Sequence, residues 1–187
     1  MTRPLARFAA LSAAVLLAAC GADDDRSTPT ADMTLVGKVA NSPAYVALVT
    51  HEGRIGGYVC DGRQVSRWLK PTPITRRMTT LRGRDGRDLG TVRLAGERAV
   101  GEVQLSAQRA RFTAVVARGE GGLYQTITGS PGKPGYRESG WIVLADGSAR
   151  GATQFTSTDT DLVVGPAPKR ARTARPVTPF TSNEIDF

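Results

Sequence analysis

This 187-residue chain offers little ready-made chemistry. It holds one histidine, His51, and two cysteines, Cys20 and Cys60. One histidine and one thiol do not make the ligand cluster that zinc requires. The acidic run Asp23-Asp24-Asp25 lacks the regular spacing and following glycine of a calcium loop. The glycine-rich stretch GSPGKPG at 129–135 lacks the GK[ST] ending and following helix of a phosphate loop. Neither a metal nor a cofactor is expected. Nucleic-acid motifs are missing too, so nucleic acid is not an expected partner. No apolar run reaches the roughly 20 residues of a membrane-spanning helix. Helical periodicity is also absent, apart from Val65, Trp68 and Leu69 at i, i+3 and i+4.

What is present begins at the N-terminus. Arg3 and Arg7 precede the apolar run Phe8 to Ala19, which has the length and charge order of a secretory signal peptide. The run ends in Leu17-Ala18-Ala19-Cys20, followed by Gly21. This resembles the lipobox of bacterial lipoproteins at all four positions. The resemblance implies that residues 1–19 are removed and that Cys20 is the lipid-attachment residue, carrying diacylglycerol as the first mature residue. Two acyl chains suffice for stable anchoring. The expected location is the outer face of the cell membrane, with the membrane as first partner. Residues 20–32, polar and without apolar period, read as a flexible tether.

A lipidated Cys20 leaves Cys60 with no disulfide partner in its own chain. A thiol in the strand-like run Ile55 to Cys60, closed by the turn signal Asp61-Gly62, is expected to be buried and inert. A nucleophile–base pair with His51 is disfavoured. His51-Glu52-Gly53 reads as a hairpin tip, which puts His51 some 15–20 Å from Cys60 along the strand. The three Asp-Gly pairs, at Asp61, Asp85 and Asp146, could supply acid–base carboxylates. The same dipeptide is what tight hairpin turns require, and turn chemistry is the favoured reading.

From Met33 onward, short runs rich in β-branched residues alternate with glycine-containing turns about every ten residues. Candidate strands are 34–40, 44–50, 54–60, 76–82, 88–94, 98–105, 110–117, 122–128, 139–145 and 149–155. In Glu97 to Leu105, Gly101, Val103 and Leu105 share one face while Glu102 and Gln104 share the other. Residues 63–70 read as one helical turn or a short strand, stopped by Pro71 and Pro73. The expectation is an all-β fold: an antiparallel meander of about 8–10 short strands, closed or partly open as a small barrel.

The set Tyr58-Val59-Cys60-Asp61-Gly62, Trp68-Leu69, Gly122-Leu123-Tyr124 and Gly140-Trp141-Ile142-Val143-Leu144 with Asp146-Gly147 resembles an uncharacterised domain of exported actinobacterial lipoproteins, over about residues 33 to 153. The resemblance implies architecture and location, not chemistry. Lysine plus arginine number 25 against 17 acids. Losing Arg3 and Arg7 with the signal leaves 23 against 17, a net charge of +6. The β domain is expected over 33–156. Residues 157–187, with Lys169, Arg170, Arg172 and Arg175 in a Pro-containing frame, are expected to form a disordered basic tail. The functional expectation is a lipid-anchored, non-catalytic binding domain whose partner is an anionic envelope polymer or an envelope protein. Alternatives are a barrel carrying a small apolar ligand and, less favoured, a hydrolase.

Overall fold

A computed structural model describes residues 31–156, 162–167 and 174–177. The signal segment 1–19, Cys20 and nearly all of the tether lie outside the described residues.

The fold is all-β. Eight consecutive strands form an antiparallel meander: β1 (Met33–Val39), β2 (Tyr45–His51), β3 (Arg54–Cys60), β4 (Ser66–Pro73), β5 (Thr79–Gly83), β6 (Asp88–Ala95), β7 (Arg98–Gln104) and β8 (Arg109–Val116). The last strand pairs with the first, Val36 opposite Val115 and Lys38 opposite Thr113, so the barrel is closed. Inward positions are filled by one continuous apolar cluster that includes Leu35, Leu48, Ile55, Val59, Leu69, Leu81, Val103 and Phe112, all buried. Eight strands enclose a space just wide enough for such side chains to fill.

The meander does not take in every strand. With β8 on β1 the barrel has no free edge, so later strands must pair elsewhere. They form a second antiparallel sheet from β9 (Gly122–Thr128), β10 (Arg137–Val143), β11 (Ala149–Thr156), β12 (Leu162–Pro166) and β13 (Arg175–Pro176), in the order β12-β11-β10-β9-β13. The fold therefore continues past residue 156, where the domain was expected to end. Pro166 pairs with Ala152, Arg175 pairs with Gln125, and Val177 is buried. Of the tail's basic run, Arg175 lies in β13, while Lys169, Arg170 and Arg172 fall outside the described residues.

Residues 66–73 form a strand, not a helical turn. Trp68 points out of the barrel and Leu69 into it, and both are buried, because a second layer covers this part of the wall. Pro71 and Pro73 do not stop the strand. They fall where its pairing is irregular: the register with β3 shifts between Ile55 and Gly57, and β5 pairs with β4 only at Leu69 and Lys70. Proline is tolerated where a ladder is interrupted.

The second sheet packs on the outer face of β1–β4. Val36, Tyr45, Ala47, Val49, Tyr58, Cys60 and Trp68 from the barrel meet Leu123, Ile142, Leu144, Ala152 and Val177. Gly140 lets β10 come close. A Cβ there would lie 2.7 Å from the Tyr58 ring and 3.0 Å from Trp68.

Candidate functional site

The residues singled out for chemistry are placed apart. His51 ends β2 opposite Arg54, whereas Cys60 ends β3 opposite Tyr45. Six strand residues separate the two ends, about 20 Å. His51 Nδ1 lies 2.8 Å from Asp32 Oδ2 at the start of the described chain. Cys60 is free and buried, and burial is the main reason its thiol is pushed up to about 12. A thiol with so little thiolate at neutral pH is a poor nucleophile.

The three Asp-Gly carboxylates all hold their own turns. Asp61 Oδ1 accepts the backbone N–H groups of Arg63, Gln64 and Val65 at 2.7, 2.8 and 2.9 Å. Partial burial opposes its charge, but these bonds prevail and its carboxyl lies below the usual range. Asp85 accepts the Arg87 N–H at 3.0 Å. Asp146 accepts both the hydroxyl and the N–H of Ser148, which lower its pKa. Among the described residues, no three His, Cys, Asp or Glu side chains gather to hold a metal ion.

One carboxylate stands out that the sequence does not flag. Glu138, on β10, is 0% exposed. Arg84, on the β5–β6 turn, grips it with both guanidinium nitrogens at 2.5 and 2.6 Å. Gln125 Nε2 donates to Oε1 at 2.7 Å and the Tyr136 hydroxyl to Oε2 at 2.8 Å. Burial works against the Arg84 charge, but bonding to Glu138 outweighs it and holds its pKa above the ordinary value. Burial and the adjacent carboxylate push the Tyr136 hydroxyl up to about 12. Arg84 also stacks 5.3 Å from the Trp68 ring centre. With every oxygen engaged, this cluster is a clamp between barrel and sheet, not an acid–base site. Tyr58, bonded to Ser66 at 2.7 Å and 4.3 Å from the Trp68 ring, extends it inward. Glu138 follows the turn-rich loop by only a few residues and pairs 54 positions away, a separation that no local motif announces.

Recesses occur elsewhere. One of about 610 Å³ lies at a barrel end, between the 40–43 turn, Val65 and the 105–110 turn. The larger, about 980 Å³, is an open groove across the outer face of β6, β7, β8 and β1. Among the described residues, its basic members are Lys38, Arg76, Arg77, Arg93 and Arg111, its acid is Glu102, and Met78, Val100 and Phe112 are among its apolar members. No family model, curated protein or solved structure matches this chain.

Proposed function

We propose that this chain is a lipid-anchored protein of the outer face of the cell membrane whose β domain binds an anionic envelope component without transforming it. The anchoring half rests on Leu17-Ala18-Ala19-Cys20. The binding half is carried by one observation: among the described residues, the groove of about 980 Å³ gathers five basic side chains and one acid on a wall that the second sheet does not cover. Pockets of this size are typical of ligand sites. Meanwhile Asp61, Asp85, Asp146 and Glu138 are committed to turns or to the clamp, and His51 and Cys60 sit at opposite strand ends. Carriage inside the barrel has little room, since the inward side chains fill it. Nor does the wall offer a lipid-facing apolar band, because Arg82, Arg93, Arg98 and Arg111 project from β5–β8.

Cell fractionation tests the anchor. Cys20→Ala should move the protein from the membrane fraction to the soluble exported fraction, or block processing. Membrane retention with unchanged mass would defeat the lipoprotein reading.

A further inference from the structure

Strand register arranges the groove in rows. Arg93 faces Val100, Val100 faces Thr113 and Thr113 faces Lys38. In the neighbouring row Thr91 faces Glu102, which faces Arg111. Arg76, Arg77 and Met78, just before β5, line the same groove. Two of the five cations have acidic neighbours: Arg111 Nε is 3.3 Å from Glu102, and Lys38 Nζ is 3.9 Å from Asp146. Arg76, Arg77 and Arg93 have no ion-pair partner among the described residues. Hydrocarbon lies in the open beside them. Met78 is 50% exposed, and Val115, one row beyond Val100, is 52% exposed.

A purely ionic polymer would use the guanidinium groups and gain nothing from Met78 or Val100. An uncharged lipid would leave the arginines idle. We infer that the groove binds one anionic phospholipid, its phosphate held by Arg76, Arg77 and Arg93 and its acyl portion lying against Met78 and Val100. Guanidinium suits this role, since it offers phosphate two parallel N–H donors. The volume of about 980 Å³ is of the order expected for a site enclosing a single small amphiphile.

This inference rests on the anchored reading for the source of the lipid, the membrane itself. Cys20 to Asp32 is 13 residues, which reach at most about 45 Å when extended. From Met33 to Lys38 the first strand covers only about 17 Å. The tether is therefore long enough to bring the groove to the bilayer.

The test uses the full chain carrying Cys20→Ala, so that no acyl group of its own competes, with monomeric probes below their micelle concentration. Dihexanoyl phosphatidylglycerol should bind at least about tenfold more tightly than glycerol phosphate, which lacks the chains, or dihexanoyl phosphatidylcholine, which lacks the net charge. Arg76→Glu with Arg77→Glu should weaken that binding by about tenfold or more. Arg63→Glu with Arg137→Glu, the same charge change away from the groove, should leave it within about twofold. Met78→Ser should weaken the lipid and not glycerol phosphate. Equal binding of glycerol phosphate or of the choline lipid would overturn the proposal. So would equal losses in the two charge-reversed pairs, or tighter binding of soluble polyphosphate, which would assign the groove to a polymer. Because the probes are dissolved monomers, a failed anchor shows in fractionation alone and a failed groove in these titrations alone.

Discussion

The barrel has two outer faces built on the same ladder, and they could hardly differ more. On β1–β4 the outward residues Val36, Tyr45, Ala47, Val49, Tyr58, Cys60 and Trp68 are buried under the second sheet. On β6–β8 they are Arg93, Arg98, Val100, Glu102, Arg111 and Thr113, and most are exposed. The inward positions are mostly apolar all the way round, with Thr50 and Thr79 as buried exceptions. Barrel closure is thus indifferent to what the outer face carries. The outer side chains record instead what each half of the wall meets among the described residues: a second sheet on one side, and no packed layer on the other.

If that contrast is correct, the largest loss should come from the clamp that holds the cover down. Arg84→Met would leave Glu138 charged and buried without its cation, at a cost of about 3–5 kcal/mol in denaturant titrations. Arg84→Met with Glu138→Leu should recover much of that loss, since removing both charges is far milder than orphaning one. Two full, additive losses would mean that the ion pair is not what joins the layers.

A smaller effect separates the faces by pH. Cys60 and Tyr58, on the covered face, and Tyr136, beside the clamp, all have raised pKa values, with burial the leading cause. Each is neutral when protonated. The unfolded chain loses these protons from about pH 9 for the thiol and pH 10 for the phenols, while the folded chain keeps them. Stability is therefore intact below pH 9 and should fall as pH climbs from there towards 12, by up to about 1.4 kcal/mol per unit per group. Cys60→Ala should cost about 1 kcal/mol at neutral pH through the cavity it leaves, and should flatten the first part of the alkaline decline. An unchanged profile between pH 9 and 10 would show that the thiol does not contribute. The smallest effect belongs to the open face. Val115→Thr or Arg98→Gln should leave the unfolding free energy in denaturant titrations within about 0.5 kcal/mol of the parent, and a larger loss would mean that this wall is covered after all.

How much of this could be read beforehand depended on burial. Where one side of a strand meets solvent, the alternation is plain. Gly101 and Val103 against Glu102 and Gln104 place β7 correctly. Where both sides are buried, alternation disappears. Tyr45 to Thr50 and Ile55 to Cys60 are buried throughout, and Trp68-Leu69 mimics a helical spacing because one points to the cover and the other to the core. The hairpins of the barrel were legible for the same reason that the two-layer arrangement was not: turn signals are local, whereas the Val177 contact and the Arg84–Glu138 pair join distant stretches. The turn roles of Asp61, Asp85 and Asp146 were readable from their Asp-Gly pairs. The groove was not, since it assembles residues from four strands and a loop that share only a register.

The strand order of the covering sheet also carries a consequence for how the molecule is made. All eight barrel strands lie between residues 33 and 116, so the barrel can close while the rest of the chain is still emerging, N-terminus first. The sheet that shields it is completed only by its final strand at Arg175–Pro176 and the buried Val177. Between those two moments Val36, Tyr45, Val49 and Trp68 form a sticky apolar wall with nothing over it. Such transient surfaces are what chaperones hold and what aggregates nucleate on. Premature termination between about residue 117 and Val177 would leave a closed barrel with part of its cover missing, and the damage would show as poor yield.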